Sequence, residues 1–435
     1  MRNLLPHTLA VAGLVIVLVA PGMVAQTPTE APLPIPAAAQ ASAHFDPVAA
    51  TNAYLATVPA DKRARSDAYF EGGYWLILWD FLASTAVFLL LLAMGWSARM
   101  RDLAERVTPL RLVHTFLYWL QFLVVTSMLL FPLTAYEGFV REHAYGLATQ
   151  RFGSWLGDEL KALAVGIVLG GIFVVAIYGV LRRAGQRWWI WGSAVTVAFL
   201  AITVVISPVY LEPLFNTFTK LEDPRIKDPI LSMARANGIP ASDVYVQDAS
   251  RQTTRVSAHV SGFLGTERIT LNDNLLKRCT LPEIEATMGH EMGHYILHHA
   301  YQAVLFFGVV TVFAFAFLRW GSAWALARWG ARWRLRGVDD VAALPLLALL
   351  LGIYSFVLTP ITNTYSRSQE YEADIFGLNA SGQPDGEALV DLKLGDYRKL
   401  DPGPIEEFLF FDHPSGRTRI YAAMRWKAEH LRPSP

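Results

Sequence analysis

Six apolar stretches dictate what this chain can become, because each runs for about 20 residues or more and can cross a bilayer as a helix. They occupy residues 74–96, 113–136, 160–181, 188–210, 300–319 and 341–361. Inside hydrocarbon every backbone N–H and C=O must be satisfied by the segment itself, which leaves helices as the form for stretches this long. Tyr74-Trp75 and Trp188-Trp189 stand near segment ends, where amphipathic rings anchor at the membrane surface. Composition agrees. Hydrophobic residues make 53% of the chain and charged residues 17%, with mean hydropathy +0.31; a soluble domain carries about 25% charged residues. Lys and Arg total 37, Asp and Glu also 37, so no charge excess points to nucleic acid.

A seventh apolar segment, about 8–24, follows Arg2 and ends at Val24-Ala25, which makes residues 1–25 a signal peptide or signal anchor. Residues 26–73 form a Pro- and Ala-rich linker and entry segment. Four spans then fill 74–210 and two more fill 300–361. The polar mass lies in two blocks, 211–299 and 362–435, and the two spans between them return both blocks to one side of the membrane. Asp243–Gln247 and Arg268–Leu271 read as short strands in the first block.

The first block ends on His290-Glu291-Met292-Gly293-His294, an HExxH pattern. On a helix the two histidines lie one turn apart on one face, where two imidazoles can grip one Zn²⁺ and Glu291 can take a proton from water. The helix itself is signalled by Thr280 as N-cap, Pro282 in the first turn and Glu283 closing a T-x-x-E box. The pattern implies metal-assisted hydrolysis of an amide bond. A third ligand is needed. His298 and His299 follow too far along a continuing helix to share a metal with His290, and they read as structural or peripheral. Downstream, Glu370 and Asp374 share a helix face in Ser366–Asp374. Alone they would suit a solvated acidic face. Beside HEMGH, Glu370 reads as ligand and Asp374 as acceptor for the free N–H of His290. The one cysteine, Cys279, cannot form an intrachain disulfide and reads as a packed thiol.

HEMGH, the downstream SRSQEYEAD and the late His413-Pro414 together resemble the type 1 CAAX prenyl proteases, integral-membrane gluzincin metallopeptidases. The likeness runs from Ser66 to Tyr421 and includes ISPVYLEPLFNTF and TERITLNDNLL. It implies one Zn²⁺ per chain held by His290, His294 and Glu370, with Glu291 as base and Asp374 as partner of a ligand histidine. It also implies active-site roles for His413 and Arg417, and a large chamber enclosed by the membrane helices. The family carries Asn-Ala-Tyr where this chain has Ser257-Ala258-His259, a segment expected to be an edge strand that pairs with substrate backbone. Ser257 and His259 are therefore expected at a substrate contact with altered selection. The family's first span has no recognisable counterpart here.

The expected fold is mainly α: a polytopic helical membrane protein of six or seven spans with a small α+β zinc metallopeptidase region. The expected partners are a peptide or protein substrate, lipidated substrates included, and membrane lipids. Two other classes compete. A zinc-dependent chaperone or scaffold would keep the ligands, but has no use for an intact Glu291. A transporter would place ionisable groups mid-membrane, and these spans are almost free of them. Loops 97–112, 182–187 and 319–338 hold twelve arginines, against five Lys or Arg in 25–73 and 137–159. By the positive-inside rule the catalytic blocks then face outward, into the periplasm if the membrane is a bacterial inner membrane.

Overall fold

The computed structural model describes residues 32–261 and 267–430. The apolar segment 8–24 lies outside the described residues. Residues 32–58, expected as part of a linker, lie against the polar region, and α1 (Pro47–Ala56) is their ordered centre. Asp46 caps it, accepting from the Val48 N–H at 2.9 Å. α2 (Ala60–Ala93) starts well before the apolar window at 74. Charged Asp61 to Arg65 hide that start from hydropathy, which marks what sits in lipid and not where a helix begins.

α3 (Trp96–Val107) joins α2 to α4 (Arg111–Ala135). A π-helical turn then carries the chain into α5 (Glu142–Ala144). α6 (Phe152–Arg183) and α7 (Trp188–Ile206) complete the first four spans; α11 (His299–Trp329) and α12 (Leu344–Ser381) supply the last two. Each span packs on two neighbours, so α2, α4, α6, α7, α11 and α12 close into a ring. Their shared buried cluster is one-sided. Leu91, Tyr118, Phe122, Tyr178, Phe315 and Leu346 all sit toward the arginine-rich loops. At that end, Gly170 allows Trp119 close approach, since a Cβ there would lie 2.4 Å from the indole. The buried side chains of the ring are thus concentrated at its arginine-rich end. The three arginine-rich loops meet there: Arg101 pairs with Asp340 at 2.6 Å and Arg319 donates to the Gln186 carbonyl at 2.6 Å.

The polar region caps the other end. β1 (Phe218–Lys220), α8 (Pro224–Ala236), β2 (Val244–Gln247), β3 (Ala258–Ser261) and β4 (Arg268–Asn272) come first. The sheet order is β1-β2-β4-β3, with β2 and β4 parallel and the outer pairs antiparallel. Two of these strands, β2 and β4, follow the sequence pattern; β1 is too short to carry a period. α9 (Asp273–Arg278) and α10 (Leu281–Ile296) follow. Val244, Ile269, Leu271, Ile284, Met288 and Met292 form one core between sheet and helices. α13 (Pro384–Leu394), α14 (Pro404–Phe410) and α15 (Gly416–His430) close the unit. Tyr54, Leu55 and Ala50 of the N-terminal strap are buried against Ile420, Ala423 and Met424 of α15. Tyr54 also donates to Asp385 at 2.7 Å.

Candidate metal centre

The HExxH segment lies on α10, whose start is the expected capping box: Glu283 accepts from the Thr280 N–H at 2.5 Å and from its hydroxyl at 2.7 Å. Buried Glu283 is neutralised in turn by Lys393 at 2.8 Å. α12 does not stop at the membrane surface. It runs on as one helix to Ser381 and ends at Gly382 in the left-handed conformation, so its polar half carries Glu370 and Asp374 past α10. The two helices touch backbone to backbone. A Cβ on Gly289 would lie 2.8 Å from the Gly377 carbonyl oxygen, and one on Gly377 would lie 2.7 Å from the His290 nitrogen. These glycines let the histidines of α10 and the carboxylates of α12 meet.

His290 Nε2 lies 3.1 Å from His294 Nε2 and 3.3 Å from Glu370 Oε2, and His294 Nε2 lies 3.6 Å from Glu370 Oε1. A tetrahedral ion with ligand bonds near 2.0–2.2 Å separates its ligands by about 3.4 Å. The three donors therefore have the spacing that one Zn²⁺ requires, and the two-nitrogen, one-oxygen set suits that ion.

Both histidines are backed by partners. His290 Nδ1–H donates to buried Asp374 at 2.7 Å. Arg419 grips the same carboxylate twice, at 2.9 and 2.6 Å, and also reaches Glu387 at 3.0 Å and Asp391 at 2.9 Å. His294 has a different arrangement. Its Nε2 faces Glu370, so its Nδ1 carries the proton and donates to His299 Nδ1 at 2.9 Å. His299 Nε2–H then points to Glu372 at 3.3 Å. This contact exists because the helix does not continue through the pair of histidines. α10 ends, His298 turns left-handed with φ 59°, and α11 starts at His299.

Glu291 stands beside both imidazoles. Burial raises its carboxyl above the ordinary value, against the pull of His290 and His294. His413 Nε2 comes within 3.3 Å of Glu370 Oε2, and its Nδ1 bonds Asp412 at 3.0 Å. Burial, helped by Arg398, lowers its pKa, favouring neutral imidazole. Arg367 holds this loop in place by donating to the Glu407 carbonyl at 2.9 Å. Ser257 is exposed just before β3, with its carbonyl accepting from Asn272 N–H at 2.9 Å. His259 is half-buried on β3 and faces Glu212. Among the described residues β3 pairs only with β4, and it packs on α10, so it is an outer strand beside the metal-binding helix.

Arg417 is not brought to the centre. It is exposed and bound to Asp401 at 2.5 Å and to Asn52 at 2.9 Å, which ties the N-terminal strap down. Arg419, two residues on, holds the place behind His290. Sequence reasoning passed over Arg419 and read His299 as structural or peripheral, whereas it backs the His294 ring. The signal for Arg419 was present only as a second arginine in the same stretch. That for His299 was its histidine neighbour to the motif, masked by the assumption of an unbroken helix.

Two family profiles cover most of the chain. Peptidase family M48 matches residues 220–427, and the CAAX prenyl protease N-terminal region, described as five membrane helices, matches residues 48–217. Four span-length helices among the described residues fall in the second interval. The uncharacterized metalloprotease YhfN of Bacillus subtilis is 30% identical over 339 residues, 78% of this chain and 79% of that protein. CAAX prenyl protease 1 of Saccharomyces cerevisiae is 27% identical over 344 residues, 74% and 76% of the two chains. The fold matches the crystal structure of S. mikatae Ste24p with TM-score 0.73 and 20% identity, over 84% of this chain and 89% of that one. With its ring of spans, its HExxH helix and these relatives, this chain belongs to peptidase family M48 as a membrane-embedded metalloprotease related to the CAAX prenyl proteases.

Proposed function

We propose that this metalloprotease is a zinc endopeptidase whose ion is held by His290, His294 and Glu370. The observation that carries the reading is the 3.1–3.6 Å spacing of their three donor atoms, with Glu291 adjacent. A zinc ion bound there supplies Lewis acidity, lowering the pKa of water and polarising a carbonyl. Glu291, kept basic enough by burial, takes the proton of the attacking water on a carboxylate oxygen and passes it to the leaving amine. His413, whose Nδ1–H is held by Asp412, stabilises the oxyanion that develops on the scissile carbonyl when its Nε2 is protonated as well. Asp374, clamped by Arg419, keeps the proton of His290 on Nδ1 and so leaves Nε2 free for the metal. The outer strand β3 pairs with the substrate backbone, with Ser257 and His259 at the contact. Arg417 serves this reading from a distance, by anchoring the strap.

The substrate is a polypeptide, and the names of the relatives extend the class to prenylated ones. The protein lies in a bacterial inner membrane with the polar region in the periplasm. The twelve arginines gather at one end of the ring, opposite the metal centre, and basic loops stay on the cytoplasmic side. A reporter active only outside the cytoplasm is expected to work after Pro435 and to be silent near Arg332; the reverse would place the centre in the cytosol. For the chemistry, Glu291→Gln is expected to abolish cleavage of an unfolded polypeptide while retaining zinc, and Glu370→Ala to lose zinc. His298→Ala is expected to keep it. Undiminished turnover by Glu291→Gln ends the mechanism.

A further inference from the structure

Away from the metal ligands, four buried polar atoms converge beside the outer strand. Glu212 Oε2, His259 Nε2, Ser261 Oγ and Arg268 Nη2 are each shielded from solvent, and none has a hydrogen-bond partner among the described residues. Orphaned buried polar atoms are rare, because a buried donor or acceptor without a partner forfeits its hydration. Glu212 Oε2 lies 3.6 Å from His259 Nε2 and 3.6 Å from Arg268 Nη2. Those gaps are too long for direct hydrogen bonds, so these donors and acceptors stay unmade until a polar group is brought to them.

The surroundings hold the atoms in place. His259 and Ser261 stand two residues apart on β3 and so share one face of the strand. Arg268 lies directly opposite Ser261 on β4. Its guanidinium stacks on Phe218 at 4.3 Å and donates to Thr270 at 3.2 Å. Glu212 arrives from the other direction, in the turn just after α7, at the rim of the membrane ring. The cluster therefore sits between the strand proposed to receive substrate and the end of a membrane span.

We propose that Glu212, His259, Ser261 and Arg268 form a side-chain subsite that selects an uncharged donor–acceptor group in the substrate, a carboxamide above all. The inference rests on the reading of β3 as the substrate strand. A carboxamide oxygen accepts from Arg268 while its NH₂ donates to Glu212, which satisfies both at once. A hydroxyl does the same less completely. A carboxylate meets Glu212 at close range, and an amine meets Arg268. His259 adds no charge that would favour an acid, because burial and Arg268 hold its pKa down at about 4. An apolar side chain leaves all four atoms unmade.

The test uses the full-length protein in detergent with zinc and a set of internally quenched peptides. Each position around the cleaved bond is varied among Gln, Asn, Ser, Glu, Lys and Leu. One position is expected to favour Gln or Asn over Leu by about 10–100-fold in kcat/KM. That is below the ~10⁴ of a fully enclosed hydrogen-bonding pocket, because Glu212 and Arg268 stay partly exposed. In Glu212→Gln, glutamate at that position should gain at least about tenfold relative to glutamine. Ratios taken within one variant cancel any general loss of turnover. Equal cleavage of Gln, Glu and Leu peptides at every position overturns the proposal and leaves the cluster as a site for bridging water. If zinc-loaded protein cleaves no peptide and no unfolded polypeptide, the peptidase reading itself fails and the subsite falls with it.

Discussion

His290 and His294 sit one turn apart on α10, yet the groups behind them differ in kind. Behind His290 lies a closed charged network. Asp374, Arg419, Glu387 and Asp391 come from α12, α15 and α13, and all are buried. Behind His294 lies a short relay: the neutral imidazole of His299 from the start of the next helix, then the carboxylate of Glu372, whose side chain is 56% exposed. One histidine is held by long-range tertiary structure, the other by a local bend in the chain. A buried carboxylate behind a ligand raises its basicity and fixes its tautomer, and removing it commonly weakens metal binding. A neutral imidazole fixes the tautomer while adding no charge. The His290 side should therefore carry more of the metal affinity and more of the folding stability.

The harshest challenge to that contrast is Arg419→Met. It leaves three buried carboxylates without their cation, and breaking such a network costs about 3–5 kcal/mol. Thermal unfolding in detergent should show a large drop in midpoint. Arg417→Met is the matched control: its ion pair with Asp401 is exposed and should cost only about 0.2–1 kcal/mol, with zinc content unchanged. Equal losses for the two arginines would break the comparison at its root.

Next in size is Asp374→Asn, which keeps the shape but removes the charge facing His290. Zinc affinity, read by competition with a chelator, should fall about 10–100-fold. His299→Leu keeps the bulk behind His294 and removes its acceptor, so affinity should fall by less than the lower end of that range. If His299→Leu strips more zinc than Asp374→Asn, the His299 relay is the stronger support and the ranking inverts. Glu372→Gln, at the solvent end of the relay, should leave affinity within about twofold, since exposed polar contacts contribute little.

The smallest expected effect concerns the bend that delivers His299. His298 holds φ 59°, a conformation that costs a residue with a Cβ about 1–2 kcal/mol. His298→Gly should leave the unfolding midpoint unchanged or raised. His298→Val, with a branched Cβ in that conformation, should lower it and loosen zinc through His299. A midpoint indifferent to both substitutions would mean that the bend is not held by that residue.

The sequence by itself determined the features that depend on local periodicity and hydropathy. Spans show because lipid demands uninterrupted apolar length. α10 shows because Thr280, Pro282 and Glu283 mark its start, and its 3.6-residue turn puts His290 over His294. The same turn aligns Glu370 with Asp374, so the meeting of these four groups was legible once two spans were seen to return the chain. Only the tertiary structure decided the rest. Two residues along α15 rotate a side chain by about 200°, so Arg417 and Arg419 face opposite ways, and packing against α12 and α13 selects which is buried. The glycine contact between α10 and α12 has no local signature, because its partners lie 88 residues apart in Gly289 and Gly377. β1 is three residues long and gains its place only by pairing with β2. Glu212 and Arg268 meet beside His259 because the end of a membrane span and a strand of the sheet are packed together. That is a fact of three-dimensional assembly, which no window along the chain contains.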